Sequence, residues 1–173
     1  MKVLWLCNVM LPMIARQLNM EATNKEGWIS GLAAVVLEKR AENGIELAVA
    51  FPAPEEAFSQ GGDVFEQTVS AADGELVCYG FREDTANPHL YDGELEKRLG
   101  KILALYKPDL VHCFGTEYPH TLAMCRIFPH KDRLLIGIQG LCAVYAHAYF
   151  ADMPEKAVNT VTLRDYLKKD NLK

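Results

Sequence analysis

At 173 residues the chain has the length of one ordinary domain, and with 50% hydrophobic and 24% charged residues it can bury a core and is not a disordered polymer. Eighteen Lys and Arg stand against 23 Asp and Glu, a net charge of −5, so no global basic field draws nucleic acid or an anionic membrane to it. Five scattered cysteines (Cys7, Cys78, Cys113, Cys125 and Cys142) show neither a C-x-x-C pair nor zinc-site spacing, and are expected as reduced, mostly buried thiols.

The start, Lys2 and then Val3 to Cys7, resembles the apolar stretch of a signal peptide, but Asn8 and Pro12 interrupt it. A short β-favouring run ending on a polar residue instead predicts a central strand buried on both faces, in a cytoplasmic chain. Residues 9 to about 26 lack periodicity and are expected as a long loop, a first place to look for a site. From Trp28 the positions Ile29, Leu32, Ala33, Val36 and Leu37 recur at helical spacing until Gly44, and Ile45 to Phe51 supplies a second strand. Pro52 to Gly62 is expected as a surface loop. Val64 to Val69 and Leu76 to Phe81 form an antiparallel hairpin around Ala72-Asp73-Gly74.

Glu94 to Tyr106 is amphipathic, Pro108 stops it, and Asp109 to Cys113 is the next strand. A helix over Thr116 to Ile127 and a strand over Leu134 to Ile138 follow. The alternation predicts an α/β, Rossmann-like fold: a mostly parallel sheet flanked by helices, with a small antiparallel hairpin. Thr162 and Asp165 form a capping box for a last helix, whose pattern runs uncapped to Lys173. That ending suits a chain cut short and a frayed natural terminus equally. No segment approaches the roughly 18 to 20 apolar residues that cross a bilayer, so any membrane association is expected to be peripheral.

Ligands of such sheets bind at the carboxyl ends of the strands, which singles out four places. Gly27 and Trp28, with Lys25, Glu26 and Gly31 around them, offer glycine and free amides to a phosphate or sugar, or serve only turn geometry and packing. In the second place, from His112 to His120, Thr116 is expected to cap the helix, with Glu117 in its first turn and Pro119 tolerated. Glu117 and His120 would then face the strand ends; the plainer readings are a dipole complement for Glu117 and a satisfied core histidine at the strand end for His112. Gln139 and Gly140 follow a strand, where the amide binds a hydroxyl-rich ligand or caps the next element. Tyr79-Gly80-Phe81 is better read as core than as a sugar platform, and Tyr145, His147 and Tyr149 are either aromatic contacts or helix packing. No G-x-G-x-x-G fingerprint, catalytic triad, nucleophile elbow or P-loop is present, which removes the local basis for dinucleotide, hydrolase and kinase chemistry.

Taken together, Lys2-Val-Leu-Trp-Leu-Cys-Asn8, Glu26-Gly-Trp-Ile29, Glu46-Leu-Ala-Val-Ala-Phe51, Lys107-Pro-Asp-Leu-Val-His-Cys-Phe-Gly-Thr-Glu-Tyr-Pro-His120 and Ile138-Gln-Gly-Leu141 resemble the N-terminal domains of family 4 glycosyltransferases. The resemblance spans nearly the whole chain. Its most specific phrase, Phe114-Gly-Thr-Glu-Tyr-Pro-His120, looks like a subgroup associated with bacterial surface or capsular polysaccharide assembly.

The resemblance implies one half of a GT-B fold, with residues 1–173 as the acceptor-side domain and a separate C-terminal domain binding the nucleotide-sugar donor. Transfer would retain the anomeric configuration, without metal or other cofactor, onto a saccharide or lipid-linked acceptor. Together with the strand-end positions it gives an expected substrate-binding set of Gly27, Trp28, Glu117, His120, Gln139 and Gly140, in which the resemblance itself speaks to Gly27 and Gln139. Gly27 would lie near the donor phosphates, and the position of Gln139 would face the reacting sugar. Relatives carry histidine at that position; glutamine binds but shuttles no proton. The family's paired-glutamate motif belongs to the other domain and has no counterpart here. The basic end near Lys168 and Lys169 meets lipid or is a solvated helix face. A noncatalytic Rossmann-like binding module is the rival reading.

Overall fold

Apolar runs buried on both sides organise the molecule. The structure, a computed structural model, describes residues 1–21, 27–58, 61–71 and 74–168. Where the length suggests one domain, the chain divides into two compact units, Met1–Gly140 and Leu141–Lys173.

The first unit runs β1 (Lys2–Cys7), α1 (Pro12–Gln17), α2 (Gly27–Glu38), a short α3 (Arg40–Asn43), β2 (Glu46–Pro52), β3 (Val64–Ala71), β4 (Gly74–Phe81), α4 (Glu94–Tyr106), β5 (Leu110–Phe114), α5 (Pro119–Ile127) and β6 (Leu134–Gly137). The strands form one sheet in the order β3-β4-β2-β1-β5-β6. Every pairing is parallel except the β3–β4 hairpin. The α/β, Rossmann-like expectation therefore holds. Ala72 and Asp73 of the expected turn lie outside the described residues.

Alternation along the central strands sends side chains to two separate cores. On one face Val3, Trp5 and Cys7 pack with Ile14 of α1 and with Ile29, Ala33 and Leu37 of α2. On the other, Leu4 and Leu6 meet Leu95, Leu99 and Ile102 of α4 and Ala123 and Met124 of α5. Tyr79 and Phe81 join the second core, as expected of them. Gly80 between them is required by close approach, because a Cβ there would lie 2.2 Å from the Phe65 ring of the paired strand. Cys78 and Cys113 are buried free thiols, Cys125 is a half-buried one, and Cys7 is buried in the first core. Burial pushes the Cys78 thiol up to about 11 and Cys113 up to about 12, so neither is a nucleophile at neutral pH.

Two local expectations change. The segment expected as an irregular loop contains α1, in which Pro12 occupies the first turn and Ile14 and Ala15 are buried. Gln17 at its end donates to the Ser70 carbonyl and accepts from the Ser70 N–H, both at 2.7 Å, on the outer strand β3. The helix expected from Thr116 begins instead at Pro119, and Thr116 caps nothing. The residue before a proline is driven out of the helical region, and Tyr118 duly sits at φ −120°, ψ 152°. Gly115, at φ +100°, turns the chain three residues earlier.

The second unit contains α6 (Cys142–His147), α7 (Glu155–Val158) and α8 (Leu163–Lys168). The capping box forms: Thr162 N–H donates to the Asp165 carboxylate at 2.8 Å, and Asp165 N–H donates back to Thr162 Oγ1 at 3.2 Å. Tyr145, His147 and Tyr149 are exposed, so packing does not account for them. Lys169 lies outside the described residues. No described helix is long and apolar enough to cross a membrane.

Candidate functional site

In this strand order the chain leaves β1 for β2 on one side and later returns through β5 on the other. The carboxyl ends of β1 and β5 therefore flank the topological switch point, where open parallel sheets place their ligands. Asn8 is the first residue beyond β1, Gly115 to Tyr118 follow β5, and Arg82 and Glu83 follow β4.

Four polar side chains meet there. His120 is wholly buried; its Nδ1 lies 2.7 Å from Glu83 Oε2, and its backbone N–H donates to Glu83 Oε1 at 3.1 Å. His120 Nε2 lies 3.1 Å from Asn8 Oδ1, and Asn8 Nδ2 donates to Glu117 Oε2 at 3.0 Å. The ring is held between Tyr118, stacked at 5.7 Å, and the edge-on Phe81. Buried polar groups are costly unless partnered, and here each finds one. The carboxylate expected at the start of α5 is thus supplied from another segment: Glu83, not Glu117, accepts from its first turn.

Gly115 makes room for this contact. A Cβ there would lie 2.1 Å from Glu117 Oε2 and 2.5 Å from Asn8 Nδ2, and its left-handed φ is itself unfavourable for any other residue. Thr121 Oγ1 donates to the Gly115 carbonyl at 2.8 Å and fixes the turn from below.

Asn8, Glu83 and Tyr118 open onto a cleft of about 870 Å³, which Met10, Pro52 and Arg82 also line. The two arginines among its described lining residues are already paired. Arg82 is paired with Glu55 and lies over the Phe58 ring at 4.5 Å, while Arg98 donates to Asp92 at 2.9 Å. With Glu21, Glu56, Glu83 and Asp84 also on its wall, the cleft is negative. It opposes a pyrophosphate and suits a neutral, hydroxyl-rich ligand.

A second groove, of about 570 Å³, lies where β5 and β6 end, lined by Trp28, Leu32, His112, Phe114, Ile138 and Gln139. Trp28 is 55% exposed and Ile138 62%, so the groove is open and largely apolar. His112 lies over Phe114 with ring centres 3.9 Å apart, and desolvation lowers its pKa, favouring the neutral ring.

The six expected site residues thus separate. Glu117 and His120 come together through Asn8 beside the first cleft, with His120 behind it and out of reach of a ligand. Trp28 and Gln139 line the second groove. Gly140 is half-buried just after Gln139. Gly27 opens α2 with open space where a Cβ would stand and no positive φ, so neither turn geometry nor packing demands glycine. Its neighbours Lys25 and Glu26 lie outside the described residues. Sequence reasoning passed over Asn8 and Glu83. The available signal was position, since each is among the first polar residues beyond a parallel strand. Among the described residues no three His, Cys, Asp or Glu side chains group as metal ligands. No protein-family model matches the chain, and no curated protein sequence matches it.

Proposed function

We propose that this chain is the acceptor-side half of a retaining GT-B glycosyltransferase that moves a sugar from a nucleotide-sugar donor to a saccharide or lipid-linked acceptor. Bacterial surface polysaccharide assembly is the setting suggested by the resemblance of Phe114 to His120. The observation that carries the reading is the negative, hydroxyl-compatible cleft at the switch point, with Asn8, Glu83 and Tyr118 on its wall. A domain that itself held a nucleotide diphosphate would need free cations or a phosphate-binding glycine loop there, and among the described lining residues both arginines are engaged.

In this reading the first cleft orients the acceptor, and a second Rossmann-like domain binds the donor and supplies the basic groups and helix amides that stabilise the departing diphosphate. Trp28 and Gln139, with the exposed Gly27 backbone nearby, face the donor sugar. The chain's own contribution is orientation and exclusion of water, with no metal or other cofactor. A lipid-linked acceptor would bring the protein to the inner membrane face as a peripheral partner.

The test incubates the complete gene product with labelled nucleotide sugars and membranes carrying lipid-linked saccharides. Label is expected in the lipid-linked fraction, and Glu117→Ala is expected to cut turnover roughly tenfold or more. Saccharide binding with no donor consumed points to a noncatalytic binding module. A gene product that shows no saccharide binding and no transfer overturns the proposal.

A further inference from the structure

An amide side chain keeps its shape when its oxygen and nitrogen exchange places, so its direction must be set by its neighbours. At Asn8, which is 7% exposed, both neighbours agree. An ionised Glu117 accepts only, and therefore takes the Nδ2 side. Oδ1 then faces His120 Nε2, which must carry a hydrogen. The opposite ring nitrogen and the backbone N–H of His120 both rest on the Glu83 carboxylate, whose side chain is 2% exposed. Glu83 therefore fixes the ring that fixes the amide.

After these bonds, two functions remain without partners among the described residues: the second Nδ2 hydrogen of Asn8 and Oε1 of Glu117. One donates, the other accepts, and their side chains are already in contact. A hydroxyl, which gives one hydrogen and accepts another, satisfies both at once. A phosphate or carboxylate would be repelled by Glu117, and an ammonium would leave the Asn8 donor idle. We propose that Asn8 and Glu117 together read one hydroxyl of the acceptor saccharide, and that Glu83, acting through His120, is a positioning residue for that pair. This rests on the glycosyl-transfer reading above.

The chain is titrated by NMR with methyl hexopyranosides and their monodeoxy analogues, with melting curves recorded alongside. One deoxy position is expected to weaken wild-type binding roughly 10- to 100-fold, because a missing hydroxyl leaves a charged acceptor and its donor neighbour unpaired. In Asn8→Asp, two carboxylates face each other and that discrimination disappears; Asn8→Asp/Glu117→Gln restores an amide–carboxylate pair and with it the discrimination. Should Asn8→Asp not fold, Glu117→Ala at its half-buried position must abolish the same discrimination. Glu83→Ala is expected to weaken binding roughly tenfold. Glu83→Gln, which can accept from the His120 N–H and donate to Nδ1, restores most of it. A wild-type chain that binds no saccharide overturns both this inference and the reading beneath it. A chain that binds saccharides with the same deoxy discrimination in Asn8→Asp or Glu117→Ala overturns the hydroxyl-reading pair alone. Unchanged binding in Glu83→Ala overturns the positioning role.

Discussion

Two strands of the sheet, the central β1 and the edge strand β6, are built from similar residues and end differently. In β1, Leu4 and Leu6 are fully buried on one face and Trp5 and Cys7 nearly so on the other, and the strand delivers Asn8 into a closed polar network. In β6, Leu135 is 52% and Ile136 38% exposed on opposite faces, and the strand delivers Ile138 and Gln139 to an open groove. The position of a strand in the sheet, not its composition, decides how deeply its side chains are buried. A strand packed on both faces holds the residue after it in a fixed direction; an edge strand leaves its successor to its own contacts.

The largest loss is expected for Gly115→Val, at the closed end of the sheet. Its side chain would collide with Asn8 and Glu117 at a left-handed φ, and a loss of about 3 kcal/mol or more is expected in urea denaturation. Next comes the contrast between strands. Leu6→Ala is expected to cost about 3 kcal/mol, and Leu135→Ala less than about 1 kcal/mol, by the same measurement. Equal losses would erase the distinction drawn here.

A smaller effect concerns pH at the open end. Desolvation lowers the pKa of His112 in the fold, so the unfolded chain binds the proton more readily. The destabilisation is absent above the ordinary histidine value of about 6.5 and grows as pH falls below it. It stops growing once the folded ring is itself protonated. His112→Phe is expected to flatten the stability profile across that window. Smallest of all, Cys125 is expected to react with iodoacetamide well before Cys78 and Cys113, whose thiols burial keeps protonated. Mass spectrometry of the native protein reads the order.

Much of the fold was legible because its determinants are local. Apolar runs such as Val3 to Cys7 announce strands buried on both faces, and Glu94 to Tyr106 carries its helical periodicity openly. The start of α5 was misplaced because two local signals compete. Thr116 and Glu117 have the chemistry of a cap, yet Pro119 forbids its predecessor a helical conformation. The six-residue α1 is too short to show a period and is held by the burial of Ile14 and Ala15. At the site, Glu117 and His120 were visible within one motif. Their partners were not, because Glu83 and Asn8 stand 37 and 112 residues from His120 and no spacing rule joins them. Only the sheet order brings them together.

The Gln17 side chain that grips Ser70 bears on how this protein meets copies of itself. By occupying both outward groups of Ser70, it interrupts the row of backbone donors and acceptors along β3, one rim of the described sheet. A continuous ribbon needs two receptive rims, one to offer and one to accept. At Ser70 the β3 rim has neither group to give a second strand, so edge-to-edge joining along β3 is interrupted there. A single glutamine on a short helix thereby guards one rim of the described sheet.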